Sequence, residues 1–450
     1  MPKTLILPSA ILTMGSRQEF LRDGGILVEG NRILSVLAST QLPEKAAFDG
    51  VVVNAHGLVA VPGFIQTHVH LCQTLFRGLA DDLPLLDWLR LRIFPYEAAH
   101  DALSMYASAR VGIVELLRSG TTTIMDMGSV YFEEEIIRAI EESGLRAYVG
   151  KCMIDRNELY PRLKETTADA LGSTRKLAER WHGAAGDRIR YAVAPRFVLS
   201  CSEQLLRESF EIARSLSGAV FHSHAAENRQ EMDEVRKVCR MDNVEYFETI
   251  GVLDERSCLA HCIWVNDREV GLIRDRRVKV LHCPSSNLKL GSGIAKIPEF
   301  LSRGVSVSLG ADGAPCNNTL DMFEEMRLAA LIQKPAHGAG EVTAEQVLAM
   351  ATIGGAAALG CERELGSIES GKKADLVLLD LDKVWNCYDE MSGENIYSTI
   401  VYSCSPANVH SVMVDGRWLL RDYELSVLDE ERSLRSAQTE VRKLLQRVRS

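Results

Sequence analysis

Val61-Pro62-Gly63-Phe64-Ile65-Gln66-Thr67-His68-Val69-His70 is the stretch on which the reading of the fold turns. Its apolar, β-branched opening beside Pro62 and Gly63 predicts a buried strand. Side chains alternate along a strand, so His68 and His70 share a face. Two neutral imidazoles placed this way can close on one borderline metal ion such as Zn2+. A His-x-His pair alone is more often a polar patch or a satisfied core group. The case therefore depends on what the other strand ends supply.

Outward from that stretch, residues 60–360 alternate strand-like and helix-like patterns. Strands are expected at Thr121–Met127, Arg146–Met153, Ile189–Ala194, Ala219–His224, Ser257–His261, Val278–His282 and Val305–Leu309. With the opening strand they number eight. Helical patterns lie between most of them, including one that contains Ala98 to Arg118, one from Phe132 to Ser143 and one ending at Trp181. Eight alternating β/α units predict a TIM-like (β/α)8 barrel. The flanks differ in character. Gly25–Val36 alternates about Glu29-Gly30-Asn31, and Val412–Leu420 about Asp415-Gly416, both hairpin signals. Two β-rich ends can pair into one small domain with the barrel as an insertion. The expected division is 1–59 and 365–450 for a β-sandwich, the latter closing in a charged helix over 427–449, and 60–364 for the barrel.

A chain of 450 residues with 46% hydrophobic and 25% charged residues matches an ordinary soluble globular protein. A formal charge of −10 and the lack of a Lys/Arg run argue against nucleic acid or an anionic membrane as partner. No apolar run is long enough to span a bilayer. The eleven cysteines show no regular spacing and no C-x-x-C pair, which favours reduced thiols and a cytoplasmic location. Cys258 and Cys262, on either side of His261, read as packing residues.

Polar residues gather at the carboxyl ends of the expected strands, where barrel enzymes place their chemistry. The first strand ends in His68 and His70, the fifth in His222, His224 and Glu227, the sixth at His261, and the eighth runs into Asp312. Each has a bland reading as a core histidine, a capping aspartate or a solvated glutamate. Together on one barrel they need partners, because buried imidazoles and carboxylates are costly alone. A shared metal ion supplies them.

This arrangement resembles the amidohydrolase superfamily over nearly the whole chain, including a β domain split between the two ends. The resemblance implies that His68, His70, His224 and Asp312 hold one divalent metal ion, Zn2+ first, with Fe2+ and Mn2+ as alternatives. It implies Glu227 as proton carrier, Asp312 as ligand and base, and His261 as the group that stabilises developing charge. His222 is kept as a less favoured ligand. Arg196 ends the fourth strand and cannot ligate because it stays protonated, and Lys151 lies on the third, so a mononuclear site is expected.

Leu71–Trp88, Ser285–Gly293 and Asp312–Phe323 resemble the adenosine-type deaminases acting on S-adenosylhomocysteine, methylthioadenosine and deoxyadenosine. That resemblance places Trp88 against the base and Glu97 at the ribose hydroxyls, with Glu227 also touching substrate. Ala194–Ser202, containing Arg196, is similar instead to guanine deaminases, whose arginine contacts the purine oxygen. The expected function is hydrolytic deamination of 5'-deoxyadenosine, methylthioadenosine, S-adenosylhomocysteine or adenosine. A guanine, oxopurine or pterin deaminase is the alternative, then a triazine hydrolase, and last a non-catalytic scaffold. The resemblance also implies a dimer or tetramer.

Overall fold

Gly63 is where the quoted stretch changes sheets. A Cβ there would lie 2.1 Å from Thr122 Oγ1, so only glycine lets the chain pass. Before it, Val51–Pro62 belongs to a sheet built from both chain ends. After it, Phe64–Val69 is β1, the first strand of the barrel, and His70 lies one residue beyond. The expected single strand is thus two strands joined at a glycine. The computed structural model describes residues 3–15, 19–44, 48–387 and 393–449.

The barrel continues through β2 (Thr121–Asp126), β3 (Arg146–Val149), β4 (Ile189–Pro195), β5 (Val220–Ala225), β6 (Ser257–His261), β7 (Lys279–His282) and β8 (Ser306–Leu309). Each pairs in parallel with its sequence neighbour. β8 returns to β1 through Asp312 N–H donating to His68 O at 2.9 Å and Thr67 Oγ1 donating to Leu309 O at 3.0 Å. The architecture is the expected TIM-like barrel. The third strand is shorter than its sequence suggests and resumes at Cys152–Met153. At the break, a Cβ on Gly150 would lie 1.9 Å from Ala192 O, so the two backbones meet there.

Ile65, Met125, Tyr148, Ala192, Val220, Cys258, Ala260 and Leu281 form one buried cluster with Ala356 and Leu359. Val220 shares its strand face with His222 and His224, so this apolar packing continues directly into the polar end of β5.

In the end sheet, the spatial order is Glu424–Leu425, Arg417–Arg421, Val409–Val414, Leu376–Asp380, Val51–Pro62, Lys3–Leu12, Gly25–Glu29 and Arg32–Leu37. Leu376–Asp380 pairs antiparallel with Val51–Pro62, which joins the two ends of the chain. We keep 1–59, 60–364 and 365–450 as a proposed division, with Val51–Pro62 crossing the first boundary. The Asp415-Gly416 hairpin forms as expected, both residues having positive φ (51° and 75°). The charged C-terminal pattern is a helix, Glu430–Arg449. Among the described residues, no helix is long and apolar enough to cross a membrane.

Candidate metal centre and cavity

The barrel strands end in tight turns that aim side chains inward. Just beyond β5, Ala226 has φ 52°. At the end of β6, His261 and Cys262 have φ 73° and 47°, and past β8 Asp312 has φ 63°. Non-glycine residues adopt this region at a cost, and such outliers concentrate at functional sites. Here they turn His261 and Asp312 towards the same space as His68, His70 and His224.

The ligating atoms of His68, His70, His224 and Asp312 all lie within 4.8 Å of one another. Asp312 Oδ1 is 3.5 Å from His68 Nε2 and 3.4 Å from His70 Nε2. Ligands held ~2.0–2.1 Å from a common tetrahedral centre sit about 3.3–3.4 Å apart, so these separations suit coordination better than hydrogen bonding. His68 Nε2 is buried and has no hydrogen-bond partner. Burial pushes the pKa of His68, His70 and His224 down, which keeps the imidazoles neutral and able to ligate. Burial acts to raise Asp312, but its place beside His68, and then His70 and His261, holds its carboxyl well below the usual range. Three neutral imidazoles and one carboxylate fit a divalent metal ion.

Partners behind the cluster orient the rings. His224 Nδ1 lies 2.8 Å from Arg196 O, which makes Nδ1 the donor and leaves Nε2 for the metal. His68 Nδ1 lies 2.7 Å from His222 Nε2. With His68 ligating through Nε2, its Nδ1–H donates to His222. The structure thus gives His222 a place behind a ligand, outside the group of four.

Glu227 follows β5 and opens the helix Arg229–Cys239. Glu231 Oε2 accepts from Glu227 N at 2.8 Å, and Asn228 caps the helix, so the backbone at Glu227 is fixed. Glu227 Oε2 is 3.4 Å from His261 Nε2. Burial, then the negative charges of Asp312 and Glu231, push the Glu227 carboxyl well above its ordinary pKa, against a smaller lowering by Arg196. That shift favours the acid form, the form a proton donor needs.

These groups line a partly open cavity with about 380 Å³ of empty space, open solvent included. Leu85, Trp88, Leu89, Phe197 and Leu290 form its apolar walls, while Gln73, Arg196, Glu227 and His261 supply polar atoms. A largely apolar pocket with a few convergent polar groups is the usual form of a small-molecule site. Trp88 is one of the residues lining the cavity. Glu97 sits behind the wall, its carboxylate taking Arg196 Nη1 at 2.9 Å and Gln73 Nε2 at 2.8 Å. Burial acts to lower the Arg196 pKa, and Glu97 raises it above the ordinary value. Arg196 is therefore both a cavity residue and half of a buried ion pair.

Lys151 is engaged elsewhere, with its Nζ 2.5 Å from Glu165 Oε2. All eleven cysteines are free, and Cys258 and Cys262 are buried packing residues. Sequence reasoning gave no role to Gln73, Ser286 or Asn287. Ser286 Oγ donates to Asp312 Oδ2 at 2.6 Å, and Asn287 Oδ1 lies 2.8 Å from His261 Nδ1. The signal for Ser286 and Asn287 was the Ser285-Ser286-Asn287 run, which begins after a gap of two residues past the end of a barrel strand.

An eight-stranded parallel barrel whose carboxyl end gathers three imidazoles and a carboxylate beside a cavity defines a class, the barrel proteins built to hold a catalytic divalent metal ion. Within that class the chain belongs to the amidohydrolase family, whose model matches residues 59–419. It is 42% identical to a 5'-deoxyadenosine deaminase of Methanothermobacter thermautotrophicus, over 91% of this chain and 92% of that one. It is 34% identical to a 5-methylthioadenosine/S-adenosylhomocysteine deaminase of Thermoanaerobacter pseudethanolicus, over 98% and 99% of the two chains. Among solved structures it resembles a zinc-bound adenosine deaminase from Xanthomonas campestris. The TM-score is 0.90 at 28% identity, with 98% of each chain covered.

Proposed function

We propose that this chain is a metal-dependent aminohydrolase that cleaves the exocyclic C–N bond of adenosine-type nucleosides. The substrate class comprises 5'-deoxyadenosine, methylthioadenosine, S-adenosylhomocysteine and adenosine, and the products are the inosine-type nucleoside and ammonia. The observation that carries this reading is the four-donor cluster of His68, His70, His224 and Asp312 facing the buried Glu227 carboxyl across one cavity. The deaminase names of relatives that match nearly the whole chain support it.

His68, His70, His224 and Asp312 would hold the ion, with Zn2+ first and Fe2+ or Mn2+ as alternatives. When bound, such an ion acts as a Lewis acid and lowers the pKa of a water from 15.7 to about 7. The protein's own groups do the rest. Glu227 gives its proton to the ring nitrogen beside the amino-bearing carbon, which makes that carbon electrophilic. His261 Nε2 and the Asp312 carboxylate face the attacking oxygen and take up its protons. One of these two protons returns to Glu227, which passes it to the amine as the C–N bond breaks and ammonia leaves, and the other restores the Glu227 carboxyl. Trp88 and the leucines enclose the planar base. Glu97 serves the sugar end through Arg196 and Gln73, the two side chains it holds at the cavity wall.

Ammonia release should be measured with purified, zinc-loaded protein on purine nucleosides, free purines, pterins and triazines. Adenosine-type nucleosides should be the best substrates. Release only from guanine or a pterin would move the assignment to the alternative, in which Arg196 addresses a purine oxygen. That alternative has to work around the Nη1 atom already given to Glu97. No release from any of them would overturn the reading and leave a non-catalytic scaffold. The free cysteines support a cytoplasmic location, and we propose a dimer or tetramer, to be read by light scattering.

A further inference from the structure

We propose that the first turn of the short helix Pro284–Lys289 after β7, residues Ser285–Asn287, is the positioning element of this site: Ser286 sets the Asp312 carboxylate, Asn287 sets the ring of His261, and Glu325 pins the turn. The proposal rests on the deaminase reading for its kinetic consequences and on geometry for the rest.

The pin comes first. Glu325, on the helix Met322–Leu331, is fully buried and takes no part in the chemistry above. Its carboxyl accepts from Ser285 Oγ, from Ser285 N at 3.3 Å and from Asn317 Nδ2 at 2.8 Å. Asn317 Nδ2 also donates to Ala311 O at 2.8 Å. One carboxyl thus ties the loop after β7 to the loop after β8, which carries Asp312. A buried carboxyl is costly unless its oxygens are satisfied, and here the donors come from both loops.

Two consecutive residues of the pinned turn reach the reacting groups. Ser286 Oγ holds Asp312 Oδ2 at 2.6 Å, while Gly313 N donates to Oδ1 at 2.8 Å. Rotation of the carboxylate is thereby blocked with Oδ1 turned to the imidazoles. Asn287 Oδ1 lies 2.8 Å from His261 Nδ1. With the Asn287 oxygen turned to the ring, Nδ1 carries the hydrogen and Nε2 keeps its lone pair; Asn287 Nδ2 is buried without a hydrogen-bond partner, and a flipped amide would reverse the tautomer. Nε2 is buried without a hydrogen-bond partner, 3.4 Å from Glu227 Oε2 and 3.9 Å from Asp312 Oδ2. His261 therefore meets the substrate as a proton acceptor. The opposite tautomer would offer a donor in the same place.

The tautomer is read directly from two-bond 1H–15N spectra of 15N-histidine-labelled, zinc-loaded protein, with His261 assigned by comparison with His261→Ala. A proton on Nδ1 is expected, and a proton on Nε2 overturns the proposal. The variants separate the two arms. Ser286→Ala should weaken zinc in a competition titration and lower kcat, each by about 10–100-fold, the range for removing a group that orients a ligand. Asn287→Ala should lower kcat by a similar factor at unchanged KM, with zinc affinity unchanged because His261 is not a ligand. Asn287→Asp keeps an acceptor opposite Nδ1 and should recover most of the lost kcat. Wild-type kcat in Asn287→Ala, or no recovery in Asn287→Asp, sinks the proposal. Should the alanine variants fail to fold, the wild-type ring spectrum and the Ser286→Thr and Asn287→Asp pair still decide it. A wild-type protein without deaminase activity overturns the functional reading alone, since the ring spectrum and zinc titration do not depend on turnover.

Discussion

A carboxyl group shut away from water beside two other carboxylates keeps its proton, and Glu227 stands in that position. Glu227→Gln preserves shape and removes the transferable proton. Zinc content should stay near one per chain while kcat falls ~10²–10⁴-fold, the usual worth of a general acid–base group. A variant with wild-type turnover would mean that another group carries the proton. Glu97 makes a different prediction because its carboxylate is buried under Arg196. Glu97→Ala leaves a guanidinium without its counter-ion and should cost about 3–5 kcal/mol of stability. It should also weaken nucleosides more than free bases; equal losses for adenosine and adenine would remove Glu97 from the sugar end. At this scale the histidines of the four-donor cluster were legible, since a strand's alternation puts His68 with His70 and His222 with His224 whatever the loops do. The Glu97–Arg196 pair was not. Its members lie 99 positions apart, and their meeting depends on how the segment after β1 folds over the barrel mouth.

Between elements, the critical spacing is that of β1 and β8, which bring His68 and Asp312 together. Gly310 makes it possible, because a Cβ there would lie 2.6 Å from His68 O and 2.7 Å from His68 N. Both contacts are to backbone, so no side chain can swing aside. Gly310→Ala should push the two strands apart, costing about 1–3 kcal/mol as overpacking does. Zinc affinity should drop with it, because Asp312 N donates to His68 O two residues on. Unchanged zinc binding in a competition titration would show that the ligand set tolerates strand separation. The eight strands were readable from period and spacing. Their interruptions were not, since Gly63 and Gly150 break strands through contacts with Thr122 and Ala192 that only the assembled barrel creates.

Across the whole molecule, one side chain ties the barrel to the sheet made from the chain ends. Arg146, the first residue of β3, gives Nε to Asp375 Oδ2 at 2.8 Å, and Nη2 to Asp375 Oδ1 at 3.1 Å and Asp415 Oδ1 at 2.9 Å. Asp375 immediately precedes the strand Leu376–Asp380, and Asp415 sits in the following hairpin, so three distant segments meet at one guanidinium. The hairpin was legible from its Asp-Gly turn, whereas its docking on β3 was not, because a charge in a sequence does not name its partner. Arg146→Met leaves two carboxylates facing an apolar chain and should lower stability by about 3–5 kcal/mol. Adding Asp375→Asn removes one stranded charge and should restore part of the loss. The pH sign follows from Asp415. Burial acts to raise its pKa, but the charge and hydrogen bond of Arg146, with Lys373 and Asn31, hold it below the ordinary value of 3.8. Its contribution is complete above pH 3.8 and is lost as pH falls through the lower folded value. The gap in melting temperature between wild type and Arg146→Met should therefore be constant near neutrality and close as the pH drops below 3.8. A gap that persists undiminished in acid would show that Arg146 acts through packing, and that the two sheets are held by their apolar faces alone.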